Sequence, residues 1–336
     1  MEKIAWINGN ICVYWTDIVI LLASAAAVFA FLALYRQKEG KLLPALGCLV
    51  AAVPMSLLLS RLAHWYFRPE GYGSLAAALN PEVRGGFALM GVFAGCFLAA
   101  CLVRMLRLTR DLPGMLDSLS LAGCFGIALG RTEAFFSNAN RGMILPEGFP
   151  IAAAVINPVS GSVEWRLATF LLQAGAAGIL FLGLFLFYVT GSRKKGDTTL
   201  LFLMFYGAIQ IILDSTRYDA MCLRSNGFIR AVQVLGAAAL VIGMVVFAVR
   251  LLRAGGWSKW YLLLWIMQVG CLGLAGYMEY HVQRHADQAV FAYSVMAAAL
   301  ADILIIALMT RHLAGVEARK HAEWISQMEA DLAKGI

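Results

Sequence analysis

Charge is what this sequence has least of. Aspartate, glutamate, lysine and arginine make up 14% of its 336 residues, against 61% hydrophobic, whereas a soluble domain is about a quarter charged. That excludes an ordinary water-soluble enzyme and leaves lipid as the solvent of most of the chain. Paired cysteines are also missing. The seven (Cys12, Cys48, Cys96, Cys101, Cys124, Cys222 and Cys271) form no CxxC spacing, and most lie in apolar stretches, where a free thiol behaves as a small hydrophobe. The five histidines do not cluster with cysteine or carboxylates over the first 280 residues, so no metal site is expected. No phosphate-binding glycine loop occurs, and no GxGxxG follows a strand, so nucleotide binding has no support and no cofactor is expected. Residues 1–12 are not basic enough, and no small-residue cleavage site follows a short apolar core, so no cleavable signal peptide is expected.

What is present is a series of apolar runs near the length that crosses a bilayer. Nine are expected, at about 13–35, 43–66, 86–106, 114–130, 165–190, 199–216, 228–250, 259–281 and 289–310. The fourth is the weakest, being short and carrying Asp117, Ser118 and Ser120. The odd-numbered loops hold three basic residues each: Arg36, Lys38 and Lys41; Arg104, Arg107 and Arg110; Arg193, Lys194 and Lys195; Arg250, Arg253 and Lys259. The even-numbered loops are longer and mix signs, as in Arg68, Glu70, Glu82 and Arg84. Cytoplasmic loops collect lysine and arginine, which predicts an N-terminus outside and a cytoplasmic C-terminus. The net charge of +7 is then a topology signal. No basic–aromatic patch stands apart from these loops, so nucleic acid is not an expected partner. From His312 to Ile336 the chain is polar with a helical apolar stripe (Leu313, Val316, Trp324, Ile325, Met328 and Leu332), which predicts an amphipathic cytoplasmic tail.

Ionisable residues near or inside spans usually face a bundle interior. Arg61 and His64 sit one turn apart near the end of the second span, as interfacial anchors beside Trp65 and Tyr66 or as the wall of a polar cavity. Arg84, Gly85 and Gly86 open the third span, with Gly91 and Gly95 following at spacings that suit either helix packing or close approach of a ligand. Arg131 and Glu133 close the fourth span behind Gly130, either as a self-satisfied pair or with the arginine as a lipid-phosphate ligand. Gln210, Asp214 and Arg217 share one helix face in the sixth span, a polar stripe that suggests a headgroup pocket. Asp302 stands alone in the ninth span and needs a partner that the sequence does not name.

Five segments resemble the prolipoprotein diacylglyceryl transferase family over about residues 10–250. Leu59-Ser60-Arg61-Leu62-Ala63-His64 is similar to the family's ending of its second span. Arg84-Gly85-Gly86-Phe87-Ala88-Leu89-Met90-Gly91 resembles its double-glycine segment. Asp117 through Arg131 to Gly142 is similar to its signature, with the spacing kept. Lys194-Lys195-Gly196-Asp197, then Tyr206-Gly207 and Asp214-Ser215-Thr216-Arg217, resembles the basic loop and the following polar helix, and Gln233 fits a glutamine of the seventh span. Where the family has other functional side chains, this chain has Met90, Ala134, Ala139, Gln173, Gln210 and Thr16.

The resemblance implies an all-α integral membrane protein of about nine transmembrane helices, seven of them family-like. It divides the chain into a transferase-like domain over 1–255, two further helices over 256–311 and the tail over 312–336. It implies transfer of a diacylglyceryl group from phosphatidylglycerol to the lipobox cysteine of a prolipoprotein, in a bacterial plasma membrane, with prolipoprotein signal peptides as partners. The site residues it implies are Arg131, Asp214 and His64 as catalytic groups. Arg131, Arg217, Gln210, Gly85, Gly86, Tyr206 and Glu133 would bind substrate. Because a thiol near its ordinary pKa of about 8.5 needs a base or a positive field, His64 and Glu133 are the replacements the sequence offers for the altered positions. Two other readings stay open on the residues: a phospholipid-modifying transferase with another acceptor, and a non-catalytic protein that binds or transports lipid.

Overall fold

A computed structural model of the chain describes residues 3–8, 11–39, 41–80, 83, 85–157, 160–190, 194–223, 226–255 and 257–333. Arg84, Glu82 and Arg193, singled out above, lie outside the described residues. The protein is an all-α integral membrane protein. Its helices are α1 (Trp15–Glu39), α2 (Leu43–Phe67), a short α3 (Leu75–Leu79), α4 (Leu89–Met105), α5 (Leu112–Gly130), α6 (Thr169–Thr190), α7 (Asp197–Thr216), α8 (Ala231–Arg253), α9 (Lys259–Arg284) and α10 (Ala289–Ala333). Three antiparallel hairpins lie between them: β1 (Ile4–Asn8) with β2 (Ile11–Tyr14), β3 (Ala152–Ile156) with β4 (Val163–Leu167), and β5 (Cys222–Leu223) with β6 (Asn226–Arg230). Among the described residues, eight helices are long and apolar enough to cross a membrane, and α4, at 17 residues, is shorter.

The expected spans coincide with helices, but three begin later than hydropathy suggests. The third was expected from 86 and starts at Leu89, because Gly85–Ala88 is not helical and Ala88 N–H donates instead to Ser60 O at 3.0 Å. Residues 165–167 and 228–230, each two apolar residues and an arginine, fall inside the expected spans but belong to β4 and β6. The tail is not a separate helix: α10 runs unbroken from Ala289 to Ala333.

The chain forms two compact units, one of residues 1–202 and 213–234 and the other of 203–212 and 235–336. In the first unit a core of Phe31, Tyr35, Ala45, Cys48, Ala52, Ala99, Ala100, Val103, Met115 and Ala122 joins α1, α2, α4 and α5. Glycine lets α4 lie directly on α2. A Cβ on Gly91 would overlap the backbone of Leu59 and Ser60, and one on Gly95 the backbone of Ser56, so helix packing accounts for this spacing.

α5 starts where Asp111 caps it, accepting from Gly114 N–H at 3.1 Å, with Pro113 in the first turn. It also starts α7. The carboxylate of Asp117, fully buried on α5, accepts from Gly196 N–H (2.9 Å), Thr199 N–H (2.9 Å) and Thr199 Oγ1 (3.0 Å). These are amides that the first turn of a helix leaves unpaired. Gly196 has a φ of 90°, which suits glycine. At the same end Lys195 pairs with Asp111 and, at 3.5 Å, with Glu39.

In the second unit α7 and α8 cross at Gly207 and Gly236, where a Cβ on either would come within 2.9 Å of the other's carbonyl oxygen. α9 and α10 pack along one another, and Gln268 Nε2 donates to Ile303 O at 3.1 Å.

Candidate functional site

At the opposite end of the first unit from Lys195, the ends of α2, α5 and α7 meet the starts of α4, α6 and α8. Five arginines and three acidic side chains lie there. Arg131 follows the last residue of α5 and opens a 3-10 turn over Arg131–Phe135. Its Nη1 donates to Asn140 Oδ1 at 3.1 Å. Asn140 Nδ2 donates to Glu133 Oε1 (3.4 Å), and Ser137 Oγ donates to Glu133 Oε2 (3.2 Å). Arg131 and Glu133 are thus linked through Asn140 rather than paired directly. Asn140 turns the chain with a φ of 55°, a region that asparagine tolerates, and its own N–H donates to Asp219 Oδ2 at 2.9 Å.

Asp219 is the hub. Its Oδ1 accepts from Arg217 Nε at 2.9 Å, and its carbonyl accepts from Arg68 Nη2. Burial pushes the Asp219 carboxyl up, but the charge and hydrogen bond of Arg217, the Asn140 amide and Arg68 outweigh it and hold the group below the usual carboxylate range. Arg217 donates through Nη1 to Asp214 Oδ1 at 3.1 Å. Burial would weaken its proton, but Asp219 and Asp214 more than compensate, and its pKa is raised. The expected pairing of Asp214 with Arg217 is present, and Arg230 adds a second cation, donating to the carbonyls of Asp214 and Arg217. Asp214 is fully buried and its Oδ2 meets no donor among the described residues.

Arg141 is the least expected member. It is 5% exposed, lies 4.4 Å over the Phe170 ring, and donates through Nη2 to the carbonyls of Ala134 (2.9 Å) and Ser137 (3.1 Å). Its Nε and Nη1 are buried and meet no acceptor among the described residues, an arrangement that native interiors seldom tolerate. Burial lowers its pKa, against the pull of Tyr218, Glu133 and Asp219.

His64 stands at the end of α2, one turn before Arg68. Tyr72 Oη lies 2.8 Å from His64 Nδ1 and donates to Gly86 O at 3.0 Å. A hydroxyl has one proton and a carbonyl can only accept. With both bonds made, Nδ1 must carry the hydrogen, which leaves Nε2 of the neutral ring as an acceptor. The double glycine makes room for this arrangement, since a Cβ on Gly85 would overlap the Tyr72 ring and one on Gly86 would overlap His64 Nε2. Arg61 is spent structurally. Its Nε donates to Ala78 O at 2.9 Å and its Nη2 to Val83 O, while its guanidinium lies over Tyr72 and Phe87.

Of the residues expected to form a site, His64, Gly85, Gly86, Arg131, Glu133, Asp214 and Arg217 therefore lie in the first unit. Tyr206 and Gln210 are buried in the middle of α7, within the second unit. Sequence reading missed Tyr72, Asn140, Arg141, Asp219 and Arg230. Only Arg230 carried a usable signal, a charge opening an apolar run.

The profile of the prolipoprotein diacylglyceryl transferase family matches residues 3–249. A phosphatidylglycerol–prolipoprotein diacylglyceryl transferase of Lactococcus lactis subsp. lactis is 24% identical over 256 residues, 75% of this chain and 96% of the relative. A protein of the same description from Finegoldia magna is 23% identical over 249 residues, 73% of this chain and 94% of the relative. One from Thermotoga maritima is 26% identical over 195 residues, 56% of this chain and 64% of the relative. With the profile covering most of its length and the polar cluster built from the matched segments, the chain belongs to the prolipoprotein diacylglyceryl transferase family.

Proposed function

We propose that this protein transfers the diacylglyceryl group of phosphatidylglycerol to the lipobox cysteine of prolipoproteins, at the outer face of a bacterial plasma membrane. The observation that carries this reading is the polar cluster itself. Five guanidinium groups (Arg68, Arg131, Arg141, Arg217 and Arg230) meet three carboxyl groups (Glu133, Asp214 and Asp219), so at least two positive charges are in excess at one end of an apolar bundle. An anionic headgroup and a thiolate supply the complement.

The chemistry follows from that balance. The thiol loses its proton, sulfur attacks the glyceryl CH2 of the lipid, and the bond from that carbon to the phosphate oxygen breaks. A thioether forms and glycerol phosphate leaves, carrying the charge that began on sulfur. Guanidinium groups beside the phosphate oppose the charge that develops there, an electrostatic contribution that grows toward the transition state. Arg131 serves as the phosphate ligand, since among the described residues it bonds through Nη1 alone, to Asn140. Arg217 is oriented by Asp219 and Asp214. The open Oδ2 of Asp214 suits a hydroxyl of the glycerol headgroup. His64 takes the thiol proton at Nε2, a role supported by the hydrogen fixed on Nδ1. The signal peptide of the prolipoprotein is the acceptor. Gly86 carries no Cβ to cover Nε2, and Gly85 leaves room for the Tyr72 ring that holds Nδ1.

Purified protein mixed with labelled phosphatidylglycerol and a lipobox peptide tests the proposal. Thioether product is expected. Lipid consumed with no label on the peptide would mean another acceptor, and binding with no turnover would mean a lipid-binding protein. Arg131→Ala should weaken lipid use. His64→Ala should slow transfer while lipid binding holds; unchanged transfer would remove His64 as the base.

A further inference from the structure

Asp302 sits on the wrong side of its helix. α10 buries Ala292, Met296, Ala299, Leu300, Ile303 and Ile306, while Asp302 is exposed and accepts no hydrogen bond from any described residue. At 1.5 Å per residue it lies about 20 Å from Ala289 and about 13 Å from Arg311 along α10. In a hydrocarbon layer of about 30 Å, that is near mid-depth. Ionisable groups at such depth pair with a partner or line a cavity. Among the described residues neither a cation nor a hydrogen-bond donor meets it, and the group that feels its charge is the Cys271 thiol of α9.

The surroundings of Asp302 fit a helix. Ser294, Ala298 and Ala301 share its exposed face with the larger Phe291, Ile305 and Met309; the small side chains beside Asp302 let a second helix approach closely enough to cover a polar group, and the larger ones offer it apolar contact. Charge decides the occupant. A second copy docking on this face through a two-fold axis would set Asp302 against Asp302, and like charges repel strongly at low dielectric. Nor does the α9–α10 pair offer a cation at mid-depth, since Lys259, His281, Arg284 and Arg311 stand at the ends of its apolar stretches. We propose that Asp302 marks a docking face for a transmembrane helix of another membrane protein, one with a lysine or arginine near its midpoint. The face belongs to helices that follow the matched family segment, which ends at residue 249.

The test uses the full chain, donor-labelled, in phosphatidylcholine vesicles. The probes are two acceptor-labelled leucine-rich host helices that differ only in lysine or leucine at the centre. Energy transfer should report about tenfold tighter association of the lysine helix, the scale of one interhelical polar contact. Asp302→Leu should bring the lysine helix down to the level of the leucine helix. Because Asp302 faces outward, that variant should keep the thermal stability of the parent in detergent. Equal association of the two helices, or binding that survives Asp302→Leu, overturns the proposal. So does self-association of the chain that Asp302→Leu abolishes, because a second copy would then be the occupant.

Discussion

The two units treat a carboxylate in opposite ways. In the first, Asp214 is fully buried, and the nearby Asp219 shares Arg217 with it, so each acid meets a cation supplied by the same fold. In the second, Asp302 is exposed on α10, and among the described residues the fold brings it the Cys271 thiol but no cation. Charge in an apolar chain is therefore either absorbed by local architecture or left as an open valence. The first condition builds a site whose geometry can be specified; the second presents a surface.

Removing single groups sharpens this contrast, and the largest effect belongs to the first unit. Asp214→Ala leaves buried Arg217 with one carboxylate fewer and should cost about 3 kcal/mol, the lower range for breaking a buried pair. Thermal unfolding in detergent would show it as a clear fall in midpoint, and a midpoint within error of the parent would remove Asp214 as a structural partner of Arg217. Asp117→Ala comes next. It strands the amides of Gly196 and Thr199 and should cost about 2 kcal/mol, with hydrogen exchange quickening first at the start of α7. Uniform exchange along the helix would contradict the cap.

Tyr72→Phe should cost about 1 kcal/mol, one ordinary hydrogen bond, yet alter His64 more than stability. Without the hydroxyl the ring has no reason to keep its hydrogen on Nδ1. Nitrogen NMR of labelled histidine should then show a mixture of tautomers, against one in the parent. A single unchanged tautomer in Tyr72→Phe would show that something else holds the ring.

The pH response follows from Asp219. Its pKa is depressed in the folded protein, so the stability it contributes is complete above the ordinary aspartate value of about 3.9. That contribution is lost only as pH falls through the lower folded value. The fall in unfolding midpoint caused by Asp219→Asn should be full at pH 7 and shrink progressively as the pH is lowered below about 3.9. Smallest of all, Asp302→Leu should change stability by no more than about 0.5 kcal/mol, as for any surface position. A large loss there would mean that the carboxylate is already satisfied.

Hydropathy located the helices because lipid selects for apolar length, and that selection is written residue by residue. It misplaced three beginnings, at Leu89, Thr169 and Ala231, because the apolar Gly85–Ala88 segment and the large apolar side chains that close β4 and β6 (Trp165, Leu167, Phe228 and Ile229) run straight into the helices. What ends a span there is the destination of backbone hydrogen bonds, which composition does not record. Arg131, Asp214 and Arg217 were legible because charge beside an apolar run is conspicuous. Their organiser was not. Asp219 lies in a connecting loop, and its bond to Asn140 spans 79 residues of sequence. The same holds for Tyr72, whose value lies entirely in what it touches. The tail read as an amphipathic helix continues α10 directly, since Gly315 sits inside the helix with open space around it and nothing stops it.

The bond from Asp117 to the start of α7 also bears on how the protein is made. Asp117 precedes Gly196 by 79 residues, and at roughly 5–20 residues per second the ribosome needs about 4–16 s to deliver the partner. During that interval the fourth span holds a carboxylate still waiting for the donors that α7 brings. It must wait at the membrane border, hydrated or sheltered by the insertion machinery. The order of synthesis thus differs from the order in which the spans become stable, and α5 is completed only when α7 arrives.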